Sequence, residues 1–283
     1  MIEIDENIIE ELMPKRKPNS NKGDYGKVLN LTGSRKYTGA GMLAGLAALK
    51  VGAGYSLLCS DEYSVNTYSN ISCDLIYKIH DNFNMNTIKN YIEEQKVNSI
   101  VFGCGIGVDE ITIDFTKKFI EYLKTTNIPT VIDADGLNCL AKNPVELNNN
   151  FVITPHPAEL ARLLGKETDA IQAEREKSIV EAHDKLKAVV VLKGYNTLIS
   201  DGEHIYKNRT GTSALSKAGT GDVLAGMIGG FLAQKISIRD AAILAVYLHG
   251  VSSQVYTDEF SEYSMLASDL LEYIPVAIKE VCS

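Results

Sequence analysis

The segment Ala218-Gly-Thr-Gly-Asp-Val-Leu-Ala-Gly226 combines three features suited to moving a phosphoryl group. Gly219 and Gly221 permit a tight turn that leaves backbone amides open. The run from Val223 to Leu232 is apolar enough for a buried helix. The turn therefore sits at a helix N-terminus, where unpaired N–H groups and the helix dipole favour negative charge. Asp222 falls in that first turn. The amides of Gly219, Thr220 and Gly221 would hold a transferring phosphate while the Asp222 carboxylate takes a hydroxyl proton. A plainer reading leaves Asp222 only stabilising the helix end, but the flanking glycines weigh against it. No G-x-x-x-x-G-K-[ST] loop occurs, so this is not a Walker A site.

Other residues offer complementary chemistry. Lys193-Gly-Tyr-Asn-Thr197 follows an apolar run: Lys193 offers a point charge for phosphates and Gly194 lets backbone approach closely. Judged by type alone, Lys193 could simply end a strand in solvent. Asp133 and Asp135 lie at the end of a predicted strand, where carboxylates suit a hydrated magnesium ion bridging nucleotide phosphates. An Asx-type turn at Asp135-Gly136 accounts for the same residues, and both readings stand. His156 lies in Thr154-Pro-His-Pro157, stiffened by two prolines; a lone His is often structural. Glu159 follows three residues later and fits a helix first turn. Ala40 and Gly41 open a helix with side chains small enough for a dinucleotide to lie on the backbone. Gly103-Cys-Gly-Ile-Gly107 could line the same cleft, although it lacks full G-x-G-x-x-G spacing.

The elements that must position these residues alternate. Strands are predicted at 27–32, 55–59, 75–79, 99–102, 129–133, 151–153 and 188–192, and helices at 41–51, 113–124, 137–142, 159–164 and 170–187, the last as one long charged helix. Near-continuous apolar strands between helices predict a mostly parallel sheet covered on both faces, a three-layer α/β/α architecture. Runs 196–200 and 204–207, separated by Asp201-Gly-Glu203, predict a hairpin at one sheet edge. Helices at 221–234, 238–256 and 268–281 close the chain. No repeat or linker interrupts it, so residues 1–283 read as one domain with a polar arm through Asn21.

Composition fits an ordinary globular chain: 283 residues, 45% hydrophobic and 23% charged. A net charge of −8 disfavours non-specific nucleic-acid binding. It leaves room for anionic substrates at a local amide cluster. Met1 to Lys22 has no apolar core of a signal peptide, and no apolar run reaches the roughly 18 residues of a membrane span; a cytoplasmic location is expected. Cys59, Cys73, Cys104, Cys139 and Cys282 are widely spaced, and buried reduced thiols are expected.

Gly219-Thr-Gly-Asp222 resembles the anion-hole and catalytic-base signature of ribokinase-like enzymes. Lys22-Gly-Asp-Tyr-Gly-Lys-Val28, Tyr37-Thr-Gly-Ala-Gly41, Val131-Ile-Asp-Ala-Asp-Gly136, Thr154-Pro-His-Pro-Ala-Glu-Leu160 and Lys193-Gly-Tyr-Asn-Thr197 narrow the resemblance to NAD(P)H-hydrate dehydratases, in the family's order and across most of the chain. The resemblance implies repair of hydrated NADH and NADPH: ADP or ATP phosphorylates the hydrate hydroxyl, and phosphate elimination restores the nicotinamide ring. It implies Asp222 as the base, Gly219 to Gly221 as the amide cradle, and Lys193, Gly194, Tyr195, Asn196, Thr197 and Gly221 as nucleotide contacts. Ala40, His156, Asp222 and one or more of Gly103, Gly105 and Gly107 would meet the substrate. Magnesium is implied, with Asp133, Asp135 and Glu159 as candidate ligands, and so is a homo-tetramer. The chain departs from the family in four places. Cys104 and Ile106 stand where Pro and Leu are frequent. His156 takes the Asn position of the ribokinase-type Asn-x-x-Glu signature. Thr212 to Ala218 replaces Asn-Pro-Gly-Met-Ala-Thr-Gly, and no epimerase domain is expected before Lys22. A ribokinase-like kinase of a vitamin precursor (hydroxymethylpyrimidine or hydroxyethylthiazole) shares the loop chemistry; a silent nucleotide-binding regulator is the reading outside enzymes.

Overall fold

The computed structural model describes residues 1–282. Its strands are β1 (Ile2–Glu3), β2 (Lys27–Leu31), β3 (Tyr55–Ser60), β4 (Ile76–Ile79), β5 (Ser99–Phe102), β6 (Thr130–Ile132), β7 (Phe151–Ile153), β8 (Val189–Leu192), β9 (Leu198–Ser200) and β10 (Ile205–Lys207). Its helices are α1 (Glu6–Leu12), α2 (Thr38–Lys50), α3 (Glu62–Tyr68), α4 (Met85–Gln95), α5 (Glu110–Leu123), α6 (Asp135–Lys142), α7 (Pro157–Leu164), α8 (Thr168–Ala173), α9 (Arg175–Leu186), α10 (Thr220–Ala233), α11 (Ile238–Glu259) and α12 (Ala267–Val281). None of these helices is long and apolar enough to cross a membrane.

The strands form one sheet in the order β1-β10-β9-β8-β7-β6-β5-β2-β3-β4. Neighbours from β8 through β4 are parallel, and β8-β9-β10 are antiparallel. The predicted hairpin is therefore present, but β1 pairs parallel with β10 and takes the outermost place. The chain winds outward from β2 to β4, then returns to β5 on the other side of β2. The order reverses between β2 and β5, and ligand clefts of open α/β sheets form at such points, beyond the carboxyl ends of the strands.

Two cores flank the sheet. One packs α2, α10, α11 and α12 on one face. The other packs α4 to α7 and α9 on the opposite face. Helix α10 is buried along its whole length from Val223 to Ala233. Its glycines let backbone meet backbone: a Cβ on Gly226 would lie 2.1 Å from the Ala44 carbonyl oxygen of α2, and one on Gly230 would lie 2.6 Å from that of Ala48. This seam brings the N-termini of α2 and α10 to the same end of the sheet.

Two sequence expectations change. The single helix predicted for 170–187 is two, because Glu174 leaves helical conformation at φ −132°, ψ 52°. Thiol burial holds for Cys59, Cys104 and Cys139, while Cys73 and Cys282 are exposed; all five are free. The Gly226 seam gives a direct test. Gly226→Ala is expected to lower stability by about 2 kcal/mol through overpacking, measured by urea unfolding; an unchanged midpoint would contradict the seam.

Candidate active site

The chemical groups converge on the carboxyl ends of β5 to β8 and on the N-terminus of α10. Asp133 follows β6 and is 1% exposed. An isolated carboxylate there would be costly, and its Oδ1 is met twice: by the Lys193 ammonium at 2.8 Å and by the Thr154 hydroxyl at 2.7 Å. Lys193 follows β8 and Thr154 follows β7, so the pair joins three adjacent strand ends. Lys193 is thus an ion-pair partner, not a strand end left in solvent. Burial alone would lower its pKa, but Asp133 and Glu159 outweigh that and raise it.

The next residue, Ala134, has φ 51° and ψ −118°. A positive φ on a residue with a side chain is strained, and such strain collects at functional sites. The turn is closed from outside by Gly103: a Cβ there would lie 2.3 Å from the Asp133 carbonyl oxygen. Asp135 opens α6, and its Oδ2 accepts from the Gly107 amide at 2.9 Å. Gly105 backs onto Tyr37 and Ala40, whereas nothing would crowd a Cβ on Gly107.

Helix α10 begins at Gly219, φ 93°, with no side chain capping its first-turn amides. The Thr220 amide donates to the Lys217 carbonyl at 3.5 Å, while those of Gly221 and Asp222 stay available to an anion. The Thr220 hydroxyl points away from them, donating to the carbonyls of Leu215 and Lys217 at 2.9 Å. Gly221 faces the ion pair: a Cβ there would lie 3.3 Å from Lys193 Nζ and 3.6 Å from Asp133 Oδ2. Ligating atoms of Asp222, Asp133 and Cys104 lie within 4.8 Å of one another. Burial, then the charge of Asp133, pushes the Asp222 carboxyl up to about 6. At neutral pH it is an ionised carboxylate poised to accept a proton. Cys104 is fully buried, and burial keeps it a neutral thiol.

His156 N-caps α7. Its Nδ1 accepts from the amides of Ala158 at 3.1 Å and Glu159 at 3.3 Å, and Glu159 Oε2 accepts from the His156 amide at 2.8 Å. Nδ1 is therefore unprotonated and the proton sits on Nε2. Burial and the charge of Lys193 lower the His156 pKa and keep the ring neutral. Burial pushes Glu159 up to about 7, opposed by Lys193.

Lys193 to Thr197 border a cleft of about 470 Å³, which Thr220, Gly221 and His249 also line. The predicted nucleotide segment and the α10 amides thus share one cavity. Gly194 (φ 135°) and Asn196 (φ 55°) shape the turn, and Thr197 Oγ1 closes it on the Gly194 carbonyl at 2.9 Å. Tyr195 is 91% exposed at its rim.

Several supporting residues escaped the sequence reading. Thr154 holds Asp133. Arg175, the first residue of α9, donates to the Leu192 carbonyl at 3.1 Å and braces the Lys193 turn. Buried His249 of α11 donates from Nε2 to the Thr220 carbonyl at 2.9 Å, and burial pushes it down to about 4, so it stays neutral. Thr154 lies inside a recognised motif; Arg175 and His249 carry no local signal.

A family model described as NAD(P)H-hydrate dehydratase matches residues 28–276. A bifunctional NAD(P)H-hydrate repair enzyme of Coxiella burnetii is 33% identical over 94% of this chain and 53% of its own length. The chain likewise spans about half the length of other bifunctional NAD(P)H-hydrate repair enzymes that it matches. An ADP-dependent (S)-NAD(P)H-hydrate dehydratase of Neisseria meningitidis is 32% identical over 93% of this chain and 87% of its own. An ADP/ATP-dependent NAD(P)H-hydrate dehydratase of Bacillus subtilis, co-crystallised with ATP and Mg2+, superposes with a TM-score of 0.86 at 30% identity, covering 98% of this chain and 97% of that one.

The half-buried Asp222 has a stability consequence. In the folded protein burial holds it at about 6, above the ordinary aspartate value of 3.8. Stability is thus fullest below pH 4 on this account and is lost as pH rises to 6. Asp222→Asn is expected to stabilise the protein by about 2 kcal/mol at pH 7.5 and by little at pH 4. Urea unfolding at both pH values checks this; equal stability at pH 7.5 would contradict it.

Proposed function

The chain belongs to the NAD(P)H-hydrate dehydratase family, and from that premise we propose that it restores NADH and NADPH from their hydrates at the expense of ADP or ATP. The supporting observation is the placement of an ionised, half-buried Asp222 beside the uncapped amides of α10 and the Lys193 ammonium. Such a carboxylate suits a hydroxyl of the hydrate, and such amides suit the phosphoryl group the hydroxyl attacks.

The nucleotide lies in the cleft between Lys193 to Thr197 and Gly221, with its terminal phosphoryl at the α10 amides. Asp222 takes the hydroxyl proton as the hydrate oxygen bonds to phosphorus. The bond from phosphorus to the leaving nucleotide breaks, giving AMP from ADP or ADP from ATP. Phosphate then leaves the ring together with a ring proton, and the double bond returns. Concentrated amide dipoles and Lys193 oppose the charge that develops on the phosphoryl oxygens. His156, neutral and held by Glu159, offers Nε2–H to the substrate; Ala40 and Gly107 leave room for the ring to approach.

The donor set fits a hydrated magnesium ion. Asp133 Oδ1 is already shared by Lys193 and Thr154, and one oxygen of Asp135 by the Gly107 amide. Asp133 Oδ2, which the Cys104 thiol approaches at 3.9 Å, and the free oxygen of Asp135 would hold water around the ion. Glu159 is occupied by the α7 cap and the His156 ring, so it fits no direct ligand role. When bound, magnesium supplies charge neutralisation on the phosphates. The family match across residues 28–276 removes the support for the vitamin-precursor kinase, whose shared loop is its only warrant.

Purified protein given hydrated NADH, magnesium and either nucleotide is expected to regenerate the near-ultraviolet absorbance of the reduced nicotinamide. No recovery with either nucleotide would overturn the proposal. Asp222→Asn should lower turnover by about 10²–10⁴-fold, the range for a lost general base, and leave nucleotide affinity largely intact. Lys193→Ala should weaken nucleotide binding by calorimetry roughly tenfold or more; unchanged affinity would remove Lys193 from the nucleotide site.

A further inference from the structure

A second, smaller cavity of about 200 Å³ lies at the carboxyl ends of β2, β3 and β4, beyond the Gly103–Gly107 loop from Asp133. Gly33, Arg35, Asp61, His80, Ile106 and Asp109 border it. None of these is used by the chemistry above.

His80 is the informative residue. It is 5% exposed, and its ring stacks on Phe83 at 4.2 Å between centroids. Its Nδ1 accepts from the Phe83 amide at 3.4 Å, so the proton sits on Nε2. That Nε2 is buried and has no hydrogen-bond partner. Buried donors without partners are rare in folded proteins, and each calls for a ligand or ordered water. Burial pushes His80 down to about 4, so the ring is a neutral donor at physiological pH.

The rest of the cavity supplies the other half of a recognition pattern. Asp109 caps α5 through Oδ1, leaving Oδ2 to accept from a ligand. The Asp61 carboxylate caps α3 across the cavity. Arg35 is exposed and held over the Tyr63 ring at 4.8 Å. Carboxylates suit the vicinal hydroxyls of a ribose, and a guanidinium suits a phosphate. The glycine loop lies between this cavity and the reaction site. Ile106 belongs to the loop whose Cys104 approaches Asp133 and Asp222. The buried Tyr68 hydroxyl feels the charges of both Asp61 and Asp222.

We propose that this cavity binds the adenosine-side ribose and phosphate of the hydrated dinucleotide, with His80 and Arg35 donating to phosphate and Asp109 accepting from the ribose hydroxyls. The ring of the same molecule then reaches Asp222 past the glycine loop. The proposal rests on the dehydratase reading, and its test separates the two.

Two measurements are needed. In the first, hydrated NADH and hydrated reduced nicotinamide mononucleotide, which lacks the adenosine side, are compared as substrates. His80→Phe keeps the ring stack, and Arg35→Gln alters an exposed residue with little bearing on folding. Each is expected to raise KM for the dinucleotide roughly tenfold, with kcat unchanged and the mononucleotide KM unmoved. In the second, ADP-ribose is titrated calorimetrically into protein presaturated with a non-hydrolysable ATP analogue. The wild type should bind and both variants should bind about tenfold more weakly. Folded variants with unaltered KM and unaltered ADP-ribose affinity would overturn the proposal. So would wild type that binds no ADP-ribose, which would mean that the cavity holds water only. Wild type that binds ADP-ribose but turns over neither hydrate would sustain the cavity and overturn the dehydratase reading.

Discussion

The architecture of the site depends on how one buried carboxylate is neutralised. Asp133 is 1% exposed at the end of a central parallel strand. A carboxylate there is tolerable only when paired and hydrogen-bonded. Its two partners come from the ends of the next two strands, β7 and β8. The ion pair therefore fixes the spacing of three strand ends and sets Lys193 under Gly221. It also sets the local field: Asp133 pushes Asp222 and Glu159 upward, and Lys193 pulls Glu159 and His156 downward.

A gradient of protonation follows from these positions. Asp222 sits nearest to ionisation at neutral pH, Glu159 sits near its midpoint, and His156 and His249 are neutral. The Asp133 and Asp135 carboxylates are held by Lys193, Thr154 and the Gly107 amide, which leaves Asp222 as the carboxylate poised to take a proton. Groups of one type held at different protonation states by their surroundings mark acid–base sites. The strained Ala134 turn lies beside this set, and Gly103 is the residue whose missing Cβ lets that turn close.

Much of this was legible in the sequence because strand ends and helix starts carry local signals. Gly219 to Asp222, Asp133 and Lys193 each follow or open an element whose apolar pattern is plain. The alternation of those elements carried the sheet. What was not legible depends on pairs distant in sequence. Arg175 reaches Lys193 only because the predicted long helix breaks at Glu174. His249 is one histidine in an apolar helix, and nothing near it announces Thr220. Strand β1 is two residues long, too short to show a period. Thr220 belongs to the cradle by its place in the loop, but its hydroxyl braces the chain behind it and its amide donates to the Lys217 carbonyl, so the open amides are those of Gly221 and Asp222. The sequence marks Glu159 as a candidate metal ligand; in the structure it closes a local capping box with His156.

The glycine seam between α2 and α10 has a thermal consequence. Most helix interfaces are filled by side chains that can change rotamer, and that freedom lets two helices slide by small amounts as temperature rises. Here the backbone of Gly226 meets that of Ala44, and Gly230 meets Ala48. A contact made of main chain has no rotamers to populate. The two helices are consequently expected to expand as one body, with the amides at the start of α10 keeping their distance from the start of α2 until the helices themselves separate. Loosening on heating is expected in the side-chain-packed surroundings before it reaches this seam.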